Sequence, residues 1–112
     1  LGQGYHVNYV PSSISIDWAS SSVNAALVVA DTYAIYLYYT NMVSVGPTTP
    51  VLVSTTLLNS GSQPNFGNIT VVGPTGVPPP TATSTWTILV DTTTGGKTAR
   101  GFALGGKIVF NP

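Results

Sequence analysis

Charge is nearly missing from this sequence: three lysines and arginines stand against three aspartates, with no glutamate, so 5% of residues are charged, where soluble domains carry about 25%. The net charge is zero, which excludes the basic footprint of a nucleic-acid binder and the polybasic patch of a membrane-surface protein. Cysteine is absent as well. That rules out a disulfide framework and thiolate metal ligands, and leaves the redox compartment open. His6 is the only histidine, and Asp17, Asp31 and Asp91 lie far apart on separate segments. Neither a metal centre nor a calcium loop is expected from that set. Paired carboxylates for acid–base work and a nucleophile-elbow motif are also lacking. The chain is therefore expected to be no enzyme, with no catalytic residue and no cofactor. Long apolar runs are missing too. Ala25–Ala30, the longest strictly aliphatic run, falls well short of the roughly 18 residues of a membrane span, so no insertion into a bilayer is expected.

What is present is hydrophobic and uncharged. Hydrophobic residues make up 43% of the 112, mean hydropathy is +0.31, and threonine and serine together supply 27 positions. Disorder goes with low hydrophobicity and high charge, so this chain is expected to fold, as one domain with a single core. Its surface is polar without being ionic, and a neutral surface resists association poorly, which makes self-assembly the expected state. The first residue is Leu1 rather than methionine, which leads us to expect a secretion signal that has been removed and an extracellular, cell-surface location.

The stretch Asp31–Thr40 holds four of the six tyrosines. Tyr33, Ile35, Leu37 and Tyr39 project to one face of an extended segment and Ala34, Tyr36, Tyr38 and Thr40 to the other. With both faces apolar or aromatic, it reads as a central strand covered on both sides. Before it, Tyr5–Val10 alternates up to Pro11 as an extended arm, and Ser13–Trp18 sets Ile14, Ile16 and Trp18 against Ser13, Ser15 and Asp17, the pattern of a half-buried strand. Val23–Ala30 is ambiguous, its alanines allowing a helical turn while Val28 and Val29 favour the strand we assign. After it come a loop over 41–50, a strand Val51–Leu58, a loop over 59–67 and a short strand Asn68–Val72. Gly73–Pro80 ends in three prolines that favour an extended polyproline II rod. Thr85–Asp91 is a further strand. Gly95-Gly96 and Gly105-Gly106 read as hairpin turns flanking Thr98–Leu104, with Lys107–Phe110 last. No helix follows either glycine pair, so neither is a phosphate cradle. Lys97, Arg100 and Lys107 read as charges guarding a sheet edge.

Seven or eight short strands without an amphipathic helix predict an all-β fold: one small antiparallel β-sandwich, Ig-like or jelly-roll in character. Residues 1–12 form the extended N-terminal arm and 13–112 the sandwich. Asn68-Ile69-Thr70 is a glycosylation sequon, so a covalent glycan on Asn68 is expected. An uncharged Thr/Val/Tyr-rich sandwich with an arm at Tyr5–Trp18, a central strand at Asp31–Asn41 and a sequon at Asn68–Thr70 resembles archaeal extracellular filament subunits of the thread or bundling-pilus type. It departs from type IV pilins in having no long apolar N-terminal helix. The resemblance implies a homopolymer built by donor-strand complementation. Its interface would be formed by Tyr5, Val7, Tyr9, Ile14, Ile16 and Trp18, alternating residues suited to pockets along a sheet edge. Two other readings fit the same composition: a β-sandwich capsid or decoration protein of a virion, and a carbohydrate-binding module that stacks sugars on tyrosine and tryptophan.

Overall fold

The computed structural model describes residues 4–20, 32–59, 66–91 and 104–112. Within them nine strands follow one another: β1 (Gly4–Tyr5), β2 (Ser13–Ser20), β3 (Thr32–Thr40), β4 (Met42–Val43), β5 (Gly46–Pro47), β6 (Val51–Asn59), β7 (Phe66–Val72), β8 (Thr85–Asp91) and β9 (Leu104–Asn111). Sheet A has the order β1-β8-β3-β6 and sheet B the order β7-β2-β9, every pairing antiparallel, while β4 and β5 form a small separate hairpin. The fold is all-β, a small β-sandwich. Val23–Ala30, Gly95-Gly96, Lys97, Arg100 and most of Thr98–Leu104 lie outside the described residues.

The core lies between the sheets and follows the alternation of the sequence. Sheet B contributes Ile14, Ile16 and Trp18 from β2, and sheet A contributes Ile35, Leu37 and Tyr39 from β3 with Trp86 and Ile88 from β8. Trp86 is fully buried, its ring 5.0 Å from that of Tyr39 and 6.5 Å from that of Phe110. Ser13, Ser15 and Asp17 turn outward, so β2 is the half-buried strand its pattern predicts. β3 is central in sheet A, between β8 and β6. Its second face is not fully covered: Tyr36, Tyr38 and Thr40 are half-buried, and among the described residues no layer lies over them. Both faces are apolar, yet only one meets the other sheet.

Three local expectations change. In β6 the register slips between Leu37 and Tyr38, which face Ser54 and Leu52, leaving Val53 as the extra residue of a β-bulge. The bulge resets the alternation, so Leu52 joins Thr55 and Leu57 on the exposed side while Val51 and Val53 pack on the core. Gly105 and Gly106 are not a turn but part of β9, opposite Ala19 and Trp18. A Cβ on Gly106 would run into the Asp17 carbonyl oxygen, and one on Gly67, across from Trp18 in β7, would stand 2.9 Å from the indole. Gly67 makes room for the Trp18 side chain and Gly106 for the close approach of the β2 backbone. The 73–80 connection bends at Val77 and Pro78 instead of forming a straight rod.

That connection is tied to one end of sheet A. Buried Asn41 donates to the Pro79 carbonyl (2.9 Å) and accepts from Ser84, whose hydroxyl also takes the Thr81 N–H (2.8 Å). The Tyr39 hydroxyl donates to the Pro78 carbonyl, and burial raises the phenol's pKa above its ordinary value of 10.0. A raised pKa means that the folded chain holds this proton more tightly than the unfolded chain, so the stabilisation is complete below that value and lost as pH rises past it. The melting temperature is expected to fall above about pH 10, and Tyr39→Phe to flatten that fall in a thermal series from pH 8 to 11.

Candidate assembly surface

The arm makes few but specific contacts. Gly4 and Tyr5 pair with Thr87 and Trp86 at the outer edge of β8, and the Tyr5 ring lies 5.8 Å from that of Phe110. Tyr5 and Val7 pack, half-buried, against the core. The chain then crosses from sheet A to sheet B. Asn8 takes φ 62° there, a left-handed conformation that asparagine adopts more readily than most residues. Tyr9 donates its hydroxyl to the Phe110 carbonyl, Pro11 is buried, and the Ser12 N–H meets the Asn111 carbonyl at 2.7 Å. β1 covers only Trp86 and Thr87, so Ile88–Asp91 of β8 has no second partner strand among the described residues.

The six residues expected at the interface thus fall into two groups. Tyr5, Val7 and Tyr9 sit on the arm and its crossing, against the rim of their own core. Ile14, Ile16 and Trp18 are core residues of their own chain, on a strand paired on both sides with β7 and β9. Moving them into a neighbour would require sheet B to come apart. One alternation runs through both segments, and the sequence reading missed the break at Asn8 that divides them.

The outer faces of the two sheets differ in kind. On sheet B, Asn68 is exposed, and its amide nitrogen donates to Asp17 Oδ1 (2.7 Å) and Ser15 Oγ (2.9 Å) while Thr70 Oγ1 donates to its oxygen (2.6 Å). Lys107 stands opposite Asp17 on β9. On sheet A the face is aromatic and aliphatic. Tyr36 and Tyr38 lie 6.1 Å apart, and Tyr38, Thr40, Pro50, Thr87 and Leu89 line an open depression of about 340 Å³. The strands of sheet A carry a single charged residue, Asp91 at the end of β8. Large apolar side chains also stand in solvent elsewhere, Val45 (93% exposed), Val77 (91%), Val72 (80%) and Phe66 (69%) among them.

His6 is exposed on the arm, and among the described residues no group of three or more histidine, cysteine or acidic side chains comes together as a metal site. No helix among the described residues is long and apolar enough to cross a membrane. Neither the family models, nor the curated proteins, nor the solved structures contain a match to this chain.

Proposed function

We propose that this protein is a structural subunit of an extracellular filament, and that subunits join by exchanging the arm up to Val7. The observation that carries the reading is the way the arm is held: a two-residue ladder and two half-buried side chains, joined to the sandwich through Asn8 at φ 62°. The same contacts can be made by the arm of a neighbour, and Asn8 then relaxes to an extended conformation. Among the described residues, Ile88–Asp91 of β8 has no second partner strand, which leaves room in this reading for an incoming one. Exchange of this kind is heterologous, since each subunit gives an arm to one neighbour and accepts one from another, so it propagates instead of closing. The near absence of charge supports the reading, because nothing electrostatic holds copies apart. In electron micrographs the purified full-length chain is expected to form unbranched fibres. Closed shells would instead favour the virion reading, and dispersed monomers at high concentration would overturn assembly altogether.

The extracellular assignment comes with a covalent modification. We propose that Asn68 carries a glycan in the native host. Its exposure and sequon support this, and it lies on the outer face of sheet B. The peptide containing Asn68 is expected to gain a glycan mass in native material and to lose it in Thr70→Ala. A bare peptide throughout would remove the proposal.

A further inference from the structure

Asn68 is exposed, yet its side chain is not free to react. An asparagine amide nitrogen has two hydrogens, and both are engaged here: Asp17 Oδ1 accepts one (2.7 Å) and Ser15 Oγ the other (2.9 Å). The first of these ends on a carboxylate, which makes it the stronger bond. The hydroxyl of Thr70, the third residue of the sequon, donates to Asn68 Oδ1 (2.6 Å). The main chain is held as well, because Asn68 pairs with Asp17 and Thr70 with Ser15 along the β2–β7 ladder. Between them Ile69 points the other way and packs, half-buried, against the core. Contact with solvent and availability to an enzyme therefore part company at this residue.

We propose that folding withholds Asn68 from glycosylation, so that the glycan is attached before β7 docks on β2. The inference rests on the reading that Asn68 is a glycan acceptor. In the transfer, the Asn68 nitrogen bonds to the anomeric carbon of a sugar carried on a diphosphate. The bond from that carbon to the diphosphate oxygen breaks, its electron pair leaves on the diphosphate, and the nitrogen gives up one proton. The lone pair of an amide nitrogen is delocalised into its carbonyl, so the group has to turn out of the geometry in which it donates to Asp17 and Ser15 before it can attack. A glycosyltransferase that reads Asn-Ile-Thr also has to hold three consecutive residues, and in the sandwich these are bonded along β2. Freeing them means lifting β7 and withdrawing Ile69 from the core, which a side-chain rotation alone does not achieve. The reverse order meets no obstacle. After transfer the nitrogen keeps one hydrogen, one of its two acceptors is released, and the sugar lies on the outer face of sheet B, clear of the core.

The test compares three forms of the full chain made without glycan: the folded protein, the same protein diluted out of denaturant at the moment of mixing, and Trp86→Ala, which lacks the fully buried side chain of β8. Each is incubated with a sequon-specific asparagine glycosyltransferase and its sugar-diphosphate donor, and the glycan mass on the Asn68 peptide is followed in time by mass spectrometry. The two unfolded forms are expected to be modified, and the folded protein at least tenfold more slowly. Ser15→Ala combined with Asp17→Ala frees both amide hydrogens without touching the core, and is expected to raise the rate of the folded protein at least threefold. A folded protein modified at more than a tenth of the unfolded rate overturns the proposal and leaves Asn68 a glycan acceptor. Modification of none of the forms overturns both readings. A folded double variant no faster than its parent overturns the role given to Asp17 and Ser15.

Discussion

Deleting residues 1–7 is expected to raise the concentration needed for filament assembly by about 10- to 150-fold, so that at micromolar protein only monomers or amorphous aggregate remain. The figure comes from the anchors that belong to the arm. Tyr5 and Val7 are half-buried, and burying half of a large apolar side chain contributes about 0.8 to 1.5 kcal/mol, or about 1.5 to 3 kcal/mol for the pair before ordering costs. By itself that is millimolar affinity or weaker. The arm therefore sets direction and register, while faces pressed together between neighbours supply the remaining affinity, for which exposed Val45, Val72, Val77 and Phe66 provide apolar area. A synthetic peptide of residues 1–8 is expected to bind the truncated chain and raise its melting temperature. A truncated protein whose critical concentration stays within threefold of the full chain would show that the arm serves only its own domain.

Trp86→Ala is expected to cost about 3 to 5 kcal/mol, the range for removing a fully buried tryptophan, and to leave much of the chain unfolded at room temperature. The residue lies at the centre of the aromatic group formed with Tyr39 and Phe110, and its neighbours cannot close over a void of that size. Trp86→Phe makes the comparison informative. Among the described residues the buried indole Nε1 has no hydrogen-bond partner, and an unsatisfied buried donor costs about 1 to 3 kcal/mol. Phenylalanine loses some packing area but removes that donor, so the two effects oppose each other and the net change is expected to stay under about 1 kcal/mol. Chemical denaturation of both variants checks the pair. A phenylalanine variant as unstable as the alanine one would mean that the indole nitrogen is satisfied in solution.

The strands whose faces alternate cleanly were legible from residue types alone. Ile14, Ile16 and Trp18 against Ser13, Ser15 and Asp17 placed β2, and Trp86 and Ile88 placed β8, because a period of two needs no tertiary information. Glycine was where that reading failed. Gly67, Gly105 and Gly106 look like punctuation when each is read beside its chain neighbours, but what explains Gly67 is the Trp18 indole and what explains Gly106 is the Asp17 carbonyl, both far away in sequence and across the ladder on β2. β6 was placed correctly as a strand over Val51–Leu58, but only its pairing with β3 reveals the extra residue at Val53. In the candidate surface, the alternation that marked Tyr5 and Val7 also marked Ile14 and Ile16. A change of sheet at Asn8 separates arm from core, and no pattern of apolar residues encodes it.

The two tryptophans also give the molecule a pair of internal optical probes. Trp18 belongs to sheet B and Trp86 to sheet A, both buried, and the fully buried indole of Trp86 should emit at short wavelength until water reaches it. Single-tryptophan versions made with Trp18→Phe and Trp86→Phe would then follow each sheet separately by its fluorescence. Coincident shifts to the red would establish that the sandwich melts as one cooperative unit, and a gap between them would identify the sheet that lets go first.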